Sequence, residues 1–99
     1  VYRGVAIAIS NEYQERIVAA QAADELLNIS GVEASVVASP DGQGGIYASA
    51  RSIGEVNVQI LMEKLGGGGN RSAAAVKLDH TTPEEAGKKV REAIDDYLG

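Results

Sequence analysis

The sequence predicts an α/β domain: a mixed β-sheet of about four to five strands with three helices packed against it. Short apolar runs of strand type interleave with stretches of helical period in the order βα-ββ-α-βα. Ile, Leu and Val number 24 and Ala 15 in 99 residues, a composition that builds an aliphatic core and excludes a disordered tail. There is no Phe, Trp or Cys. The core is therefore finely packed, and a disulfide, a thiolate nucleophile and a cysteine-bound metal are excluded.

The elements follow in order. From Tyr2 to Ser10, Val5, Ile7 and Ile9 alternate with small residues, so this strand is covered on both faces. From Glu12 to Asn28 the period is helical, with Val18, Ala19, Ala22, Ala23 and Leu26 on one side and polar residues on the other. Glu33 to Ser39 is a second strand. The turn cluster Pro40 to Gly45 joins it to a third, Ile46 to Ser52, as a hairpin. A second helix spans Glu55 to Leu65. Its main apolar face is Val58, Leu61, Met62 and Leu65, and Val56 and Ile60 lie on the opposite side as a second contact face. Four glycines, Gly66 to Gly69, precede a strand from Ala74 to Asp79. The last helix has Thr82 at the N-cap, Pro83 at the first position and Glu85 at the third, the pattern of a capping box. Ala86, Val90, Ala93, Ile94 and Tyr97 then recur at helical spacing. There is no repeat and no linker, so residues 1–99 read as one domain.

The net charge of −5 argues against indiscriminate nucleic-acid binding. The charge is uneven: Lys64 to Leu78 holds three cations (Lys64, Arg71, Lys77) and no carboxylate. No apolar run approaches the roughly 18 residues of a membrane span. The absence of an initiator Met predicts that the chain is a piece of a longer protein.

Four glycines in a row carry a large ordering entropy. Followed by Asn70, Arg71 and Ser72, they read either as an anion-binding nest of backbone N–H groups or as a flexible helix exit. The Walker pattern is absent. Arg51, between Ala50 and Ser52 and two residues after Ser49, reads either as a forked phosphate donor or as an exposed strand-end arginine. His80 is a lone histidine in a polar turn. No Ser/His/Asp arrangement and no metal-ligand spacing can be assembled, so the chain shows no catalytic apparatus of its own.

The stretch AAQAADELLNISGVEASVV (Ala19 to Val37), together with YASARSIGEVNVQILMEKLGGGG (Tyr47 to Gly69), resembles the DHHA1 domain, the C-terminal half of DHH-family phosphoesterases. The resemblance runs from Tyr2 to Leu98 and is strongest to membrane-anchored bacterial cyclic-di-AMP phosphodiesterases of the GdpP type. It implies a substrate-binding domain for metal-dependent phosphodiester hydrolysis. Two divalent metal ions, by family habit manganese, would sit in an N-terminal DHH domain of the same polypeptide and none in this chain. The resemblance further implies a nucleotide or other phosphate-containing substrate, a cytoplasmic location, and room for a homodimer in the full-length protein. Carried over by motif, Arg51 and the loop Gly67, Gly68, Gly69 and Asn70 would meet the substrate. Ser49, Ser52 and Arg71 lie beside them as further donors. The family carries a histidine after its glycine run. Asn70 stands there in this chain and offers an uncharged NH₂ donor instead. Rival readings are an oligonucleotide-cleaving nanoRNase or RecJ-type enzyme, an exopolyphosphatase-like enzyme, a non-catalytic nucleic-acid-binding module such as alanyl-tRNA synthetase carries, and a purely structural interaction domain.

Overall fold

The computed structural model describes residues 1–99. Its elements are β1 (Val5–Ile9), α1 (Arg16–Leu26), β2 (Ala34–Pro40), β3 (Ile46–Ser52), α2 (Val58–Lys64), β4 (Gly68–Gly69), β5 (Ala73–Leu78) and α3 (Pro83–Leu98). The strands form one sheet in the order β1-β2-β3-β5-β4. β1 pairs parallel with β2 across the α1 crossover, and the other neighbours are antiparallel. The expected mixed sheet with three helices is observed.

Strand alternation divides the sheet into two faces. Ala34, Val36 and Ala38 of β2, Ile46, Ala48 and Ala50 of β3, and Ala74, Val76 and Leu78 of β5 pack in one cluster with α2 (Val58, Leu61, Met62) and α3 (Val90, Ile94). The other face receives α1, whose Ala19 and Ala23 close on Val37. Alanine on the helix side of that contact lets the helix come close enough for the Ser35 hydroxyl to donate to the Ala23 carbonyl at 2.6 Å.

Three boundaries differ from expectation, each because a local hydrogen bond outcompetes the apolar period. The first helix starts at Arg16 rather than Glu12: the Ser10 hydroxyl is held in a turn with the Glu12 backbone, at 2.8 and 3.0 Å. It ends at Leu26, after which Leu27, Asn28 and Ile29 bond three residues back. The second helix starts at Val58 because the Asn57 side chain caps it, accepting from Gln59 N at 3.0 Å. Val56 therefore precedes the helix and is buried in the core, while Ile60 is exposed. The two do not form a common contact face. Val18 also departs from expectation: it is 43% exposed, and the small Ala19 and Ala23 make the contact with the sheet.

The capping box of α3 forms as the sequence predicts. Glu85 N donates to the Thr82 hydroxyl at 3.2 Å and Thr82 N donates to the Glu85 carboxylate at 3.0 Å. The bond from the Thr82 backbone is the main cause of a Glu85 pKa below the usual carboxylate range. Near the other end of α3, Asp95 accepts from the Tyr2 hydroxyl at 2.7 Å and from Arg3 at 3.0 Å, anchoring the N-terminal segment. The Tyr2 bond is the largest cause of a lowered Asp95 pKa and of a raised Tyr2 pKa.

The second half of the glycine run, Gly68 and Gly69, forms the short strand β4 rather than a flexible exit. Gly68 and Gly69 pair with Ala75 and Ala74. A Cβ on Gly67 would lie 2.2 Å from the Ala75 carbonyl oxygen, and one on Gly69, at φ +148°, would lie 2.5 Å from the Ala74 Cα. The backbone of this edge approaches β5 more closely than a side chain permits.

Candidate functional site

Because β3 alternates, Tyr47, Ser49 and Arg51 share the face that carries α1. α1 covers that face over β2 and β3. Beyond it, over β5 and β4, the same face exposes Ala73, Ala75 and Gly68 and carries no helix. The register sets Ser49 opposite Ala75, Ala75 opposite Gly68, and Arg51 opposite Ala73. The result is an open hollow of about 260 Å³ with an alanine and glycine floor, walled by Ala20 of α1 and lined by Tyr47, Ser49, Arg51 and Gly69. β4 is the edge strand, so one row of its backbone groups lies free of any neighbour.

Arg51 is the only charged residue lining the hollow. Its Nη1 donates to the Ala50 carbonyl at 2.9 Å, and its Nε lies 3.4 Å from the Asp24 carboxylate on α1. These contacts hold the guanidinium over the sheet with its side chain 22% exposed. Of its five N–H donors, those on Nη2 and the second on Nη1 remain free.

The other residues marked in the sequence divide. Ser49, Gly68 and Gly69 join Arg51 in the hollow. Ser52 lies on the opposite face, where its hydroxyl donates to the Glu33 carbonyl and accepts from Gly54 N, both at 3.2 Å. Gly67 is consumed by packing: its N–H donates to Met62 O at 2.8 Å. Asn70 turns the chain from β4 into β5. Its side-chain oxygen accepts from Ser72 N at 3.0 Å, Ser72 Oγ at 3.1 Å and Ala73 N at 2.9 Å. The left-handed residues other than glycine are Arg3 and His80, so Asn70 owes its place to this turn and not to a left-handed backbone. The Arg71 side chain is exposed and makes no hydrogen bond or ion pair, while its carbonyl accepts from Val58 N at 3.0 Å.

Two members escaped the sequence reading. Tyr47 was signalled by its period-two relation to Ser49 and Arg51. Asp24 carries no such signal, because its contact with Arg51 exists only once α1 lies on the sheet. No three His, Cys, Asp or Glu side chains gather to hold a metal ion, and no helix is long and apolar enough to cross a membrane.

Comparison with known proteins gives the fold a family context. The DHHA1 domain family matches residues 4–99. The chain is 51% identical over 97 residues to the cyclic-di-AMP phosphodiesterase GdpP of Geobacillus thermodenitrificans, covering 96% of this chain and 15% of that protein. It is also 51% identical over 98 residues to the cyclic-di-AMP phosphodiesterase PdeA of Listeria monocytogenes, covering 95% of this chain and 15% of that protein. Among solved structures, an exopolyphosphatase-related protein from Bacteroides fragilis aligns with TM-score 0.69 at 30% identity, covering 76% of this chain and 22% of that chain. The chain thus spans about 15% of the length of the two phosphodiesterases.

Proposed function

The chain belongs to the DHHA1 domain family, and from that premise we propose that it holds the substrate of a DHH-family phosphodiesterase that hydrolyses cyclic-di-AMP. The observation that carries this reading is the open hollow itself. It places one half-buried arginine with free donors beside a glycine edge, where the sheet face that carries α1 runs on uncovered over β5 and β4. The 51% identity to two cyclic-di-AMP phosphodiesterases supports the substrate.

On this reading an N-terminal DHH domain of the same polypeptide carries two divalent ions, manganese, and the hollow faces it. The whole protein is membrane-anchored and this domain cytoplasmic, with room for a homodimer. The residues of this chain do not fit a metal: no three potential ligands converge. On this reading the hydrolytic step, in which water adds across a P–O bond, belongs to the DHH domain. This chain binds and orients. Arg51 presents its free N–H donors to phosphate oxygens, and Ser49 and the β4 backbone border the same space. Charge-assisted bonds of this kind are short and directional, so they fix the phosphate as well as attract it.

In the intact protein, Arg51→Ala is expected to lower kcat/KM for cyclic-di-AMP by roughly 10- to 100-fold, the equivalent of about 1.5–3 kcal/mol for a hydrogen bond to a charged group. Arg71→Ala should cost much less, because its side chain lies outside the hollow. A near-neutral Arg51→Ala with a damaging Arg71→Ala would overturn the assignment. A second reading, favoured by the likeness to the exopolyphosphatase-related protein, is an exopolyphosphatase-like enzyme. Faster turnover of polyphosphate than of cyclic-di-AMP would select it.

A further inference from the structure

Tyr47 has no part in the phosphate contacts just described, yet it is set into the same surface. It lies on the Ser49–Arg51 face of β3, its hydroxyl makes no hydrogen bond, and its ring borders two hollows. One is the alanine-floored hollow. The other, of about 220 Å³, lies toward the β2–β3 turn and is lined by Arg16, Asp41, Gln43 and Lys77. The Arg16 guanidinium carbon sits 4.4 Å from the Tyr47 ring centroid and borders only this second hollow. Tyr47 therefore stands between the two hollows, with a cation against its ring and the alanine floor beside it.

We propose that Tyr47, held in place by Arg16, is the stacking platform on which this domain takes the aromatic base of a nucleotide. The inference rests on the reading of the Arg51 hollow as a phosphate site and adds the residue that receives the base. Three features argue for it. The cation–π contact favours one placement of the ring before any ligand arrives, which lowers the side-chain entropy lost on stacking. The floor beside it is Ala73, Ala75 and Gly68, flat enough for a planar ring to slide over it. Tyr47 and Arg51 are four residues apart on one strand, about 13 Å between Cα atoms. Their side chains can then approach each other from the two ends of the hollow, as a base and its phosphate require. A polyphosphate chain would have no use for the aromatic end. Stacking is tolerant of base identity because every base has a π-face, so the platform selects nucleotides without choosing among them.

The test titrates the 99-residue chain, which carries its own contiguous core, with AMP and with pyrophosphate, following amide resonances. Tyr47→Ala is expected to weaken AMP binding roughly 5- to 100-fold, the range seen when a base-stacking aromatic is truncated. The loss should be confined to AMP. Tyr47→Leu keeps apolar volume on the strand and guards against a folding artefact; it should lose AMP binding equally, while Tyr47→Phe restores it. Arg51→Ala should weaken both ligands. Wild-type affinity for AMP in Tyr47→Leu, or no AMP binding by the wild-type chain at millimolar concentration, would overturn the platform. If instead Arg51→Ala leaves both ligands bound while the Tyr47 variants lose AMP, the phosphate reading falls and the stacking site stands.

Discussion

Two neighbouring glycines should respond in opposite ways to the same substitution. A Cβ on Gly67 would meet the Ala75 carbonyl oxygen at 2.2 Å and the Val76 Cβ at 2.6 Å, both on β5. Neither is the far end of a flexible side chain, so β4 must move off β5 to make room. Forcing an extra carbon into a packed site costs about 1–3 kcal/mol, sometimes more. For a domain of this size each kcal/mol is worth roughly 4–8 °C in Tm. Gly67→Ala should therefore melt on the order of 5–25 °C below the wild type. A Cβ on Gly68 meets nothing within 4 Å, and its φ lies outside the left-handed range. There, Gly→Ala removes unfolded-state entropy and is worth about 0.4–1 kcal/mol of stabilisation. Gly68→Ala should melt at or a few degrees above the wild type. Circular dichroism melts of the three proteins decide it. Equal Tm values for the two variants would show that the glycine run is not held against β5. Gly68 also lines the hollow, so Gly68→Ala separates the two reasons for a glycine: an intact fold with weakened pyrophosphate binding would assign it to ligand approach.

Two further predictions concern hydrogen-bonded side chains. Asn70→Ala removes the acceptor for three donors at the β4–β5 turn and should lose on the order of 1 kcal/mol, or roughly 4–8 °C in Tm, whereas Asn70→Asp keeps the acceptor and should stay near wild type. An equal loss in both would show that the turn does not depend on that oxygen. Asp95 has its pKa lowered from 3.8 by the Tyr2 hydroxyl first and by Arg3 second, so its contribution is present above pH 3.8 and is lost as pH falls through the lower folded value. The Tm of the wild type should accordingly fall more steeply below that pH than the Tm of Asp95→Asn, and parallel acid limbs would remove Asp95 from the acid response.

Much of the fold was legible because one local signal at each site pointed the same way as the packing. At α3 the capping box, Pro83 and the apolar period agree, and the helix begins where they say. The hairpin was legible from the glycine cluster between two short strands. The signals failed where a single hydrogen bond outweighed a pattern. Asn57 caps α2, which begins three residues after the expected Glu55, and Ser10 delays α1. The glycine run misled for a different reason. Entropy and composition describe what glycines cost, whereas Gly67 and Gly69 are required by the distance between two backbones. That distance exists only after β5 has paired with β3. In the site, Tyr47, Ser49 and Arg51 could be grouped by strand alternation alone. Alternation equally sends Ser52 to the other face, although it stands next to Arg51 in the sequence. Asp24 was beyond reach, because nothing in the sequence says how far along the sheet α1 lies.

The Asp24 contact also bears on how an acidic domain takes an acidic ligand. With a net charge of −5, the field of the domain opposes an approaching phosphate and cannot steer it. Binding on the proposed reading must then come from short-range contacts. The Arg51–Asp24 pair makes these cheap to exchange: at 3.4 Å, with the Asp24 side chain 64% exposed, it is worth no more than about 0–1 kcal/mol. A phosphate on the free donors of the same guanidinium returns about 1.5–3 kcal/mol. On the proposed reading Asp24 helps to keep Arg51 aimed over the hollow in the absence of ligand, and leaves its other donors to the phosphate. Removing the carboxylate would leave the Ala50 carbonyl as the guanidinium's remaining partner, so the gain in net charge would be offset by a loss of aim.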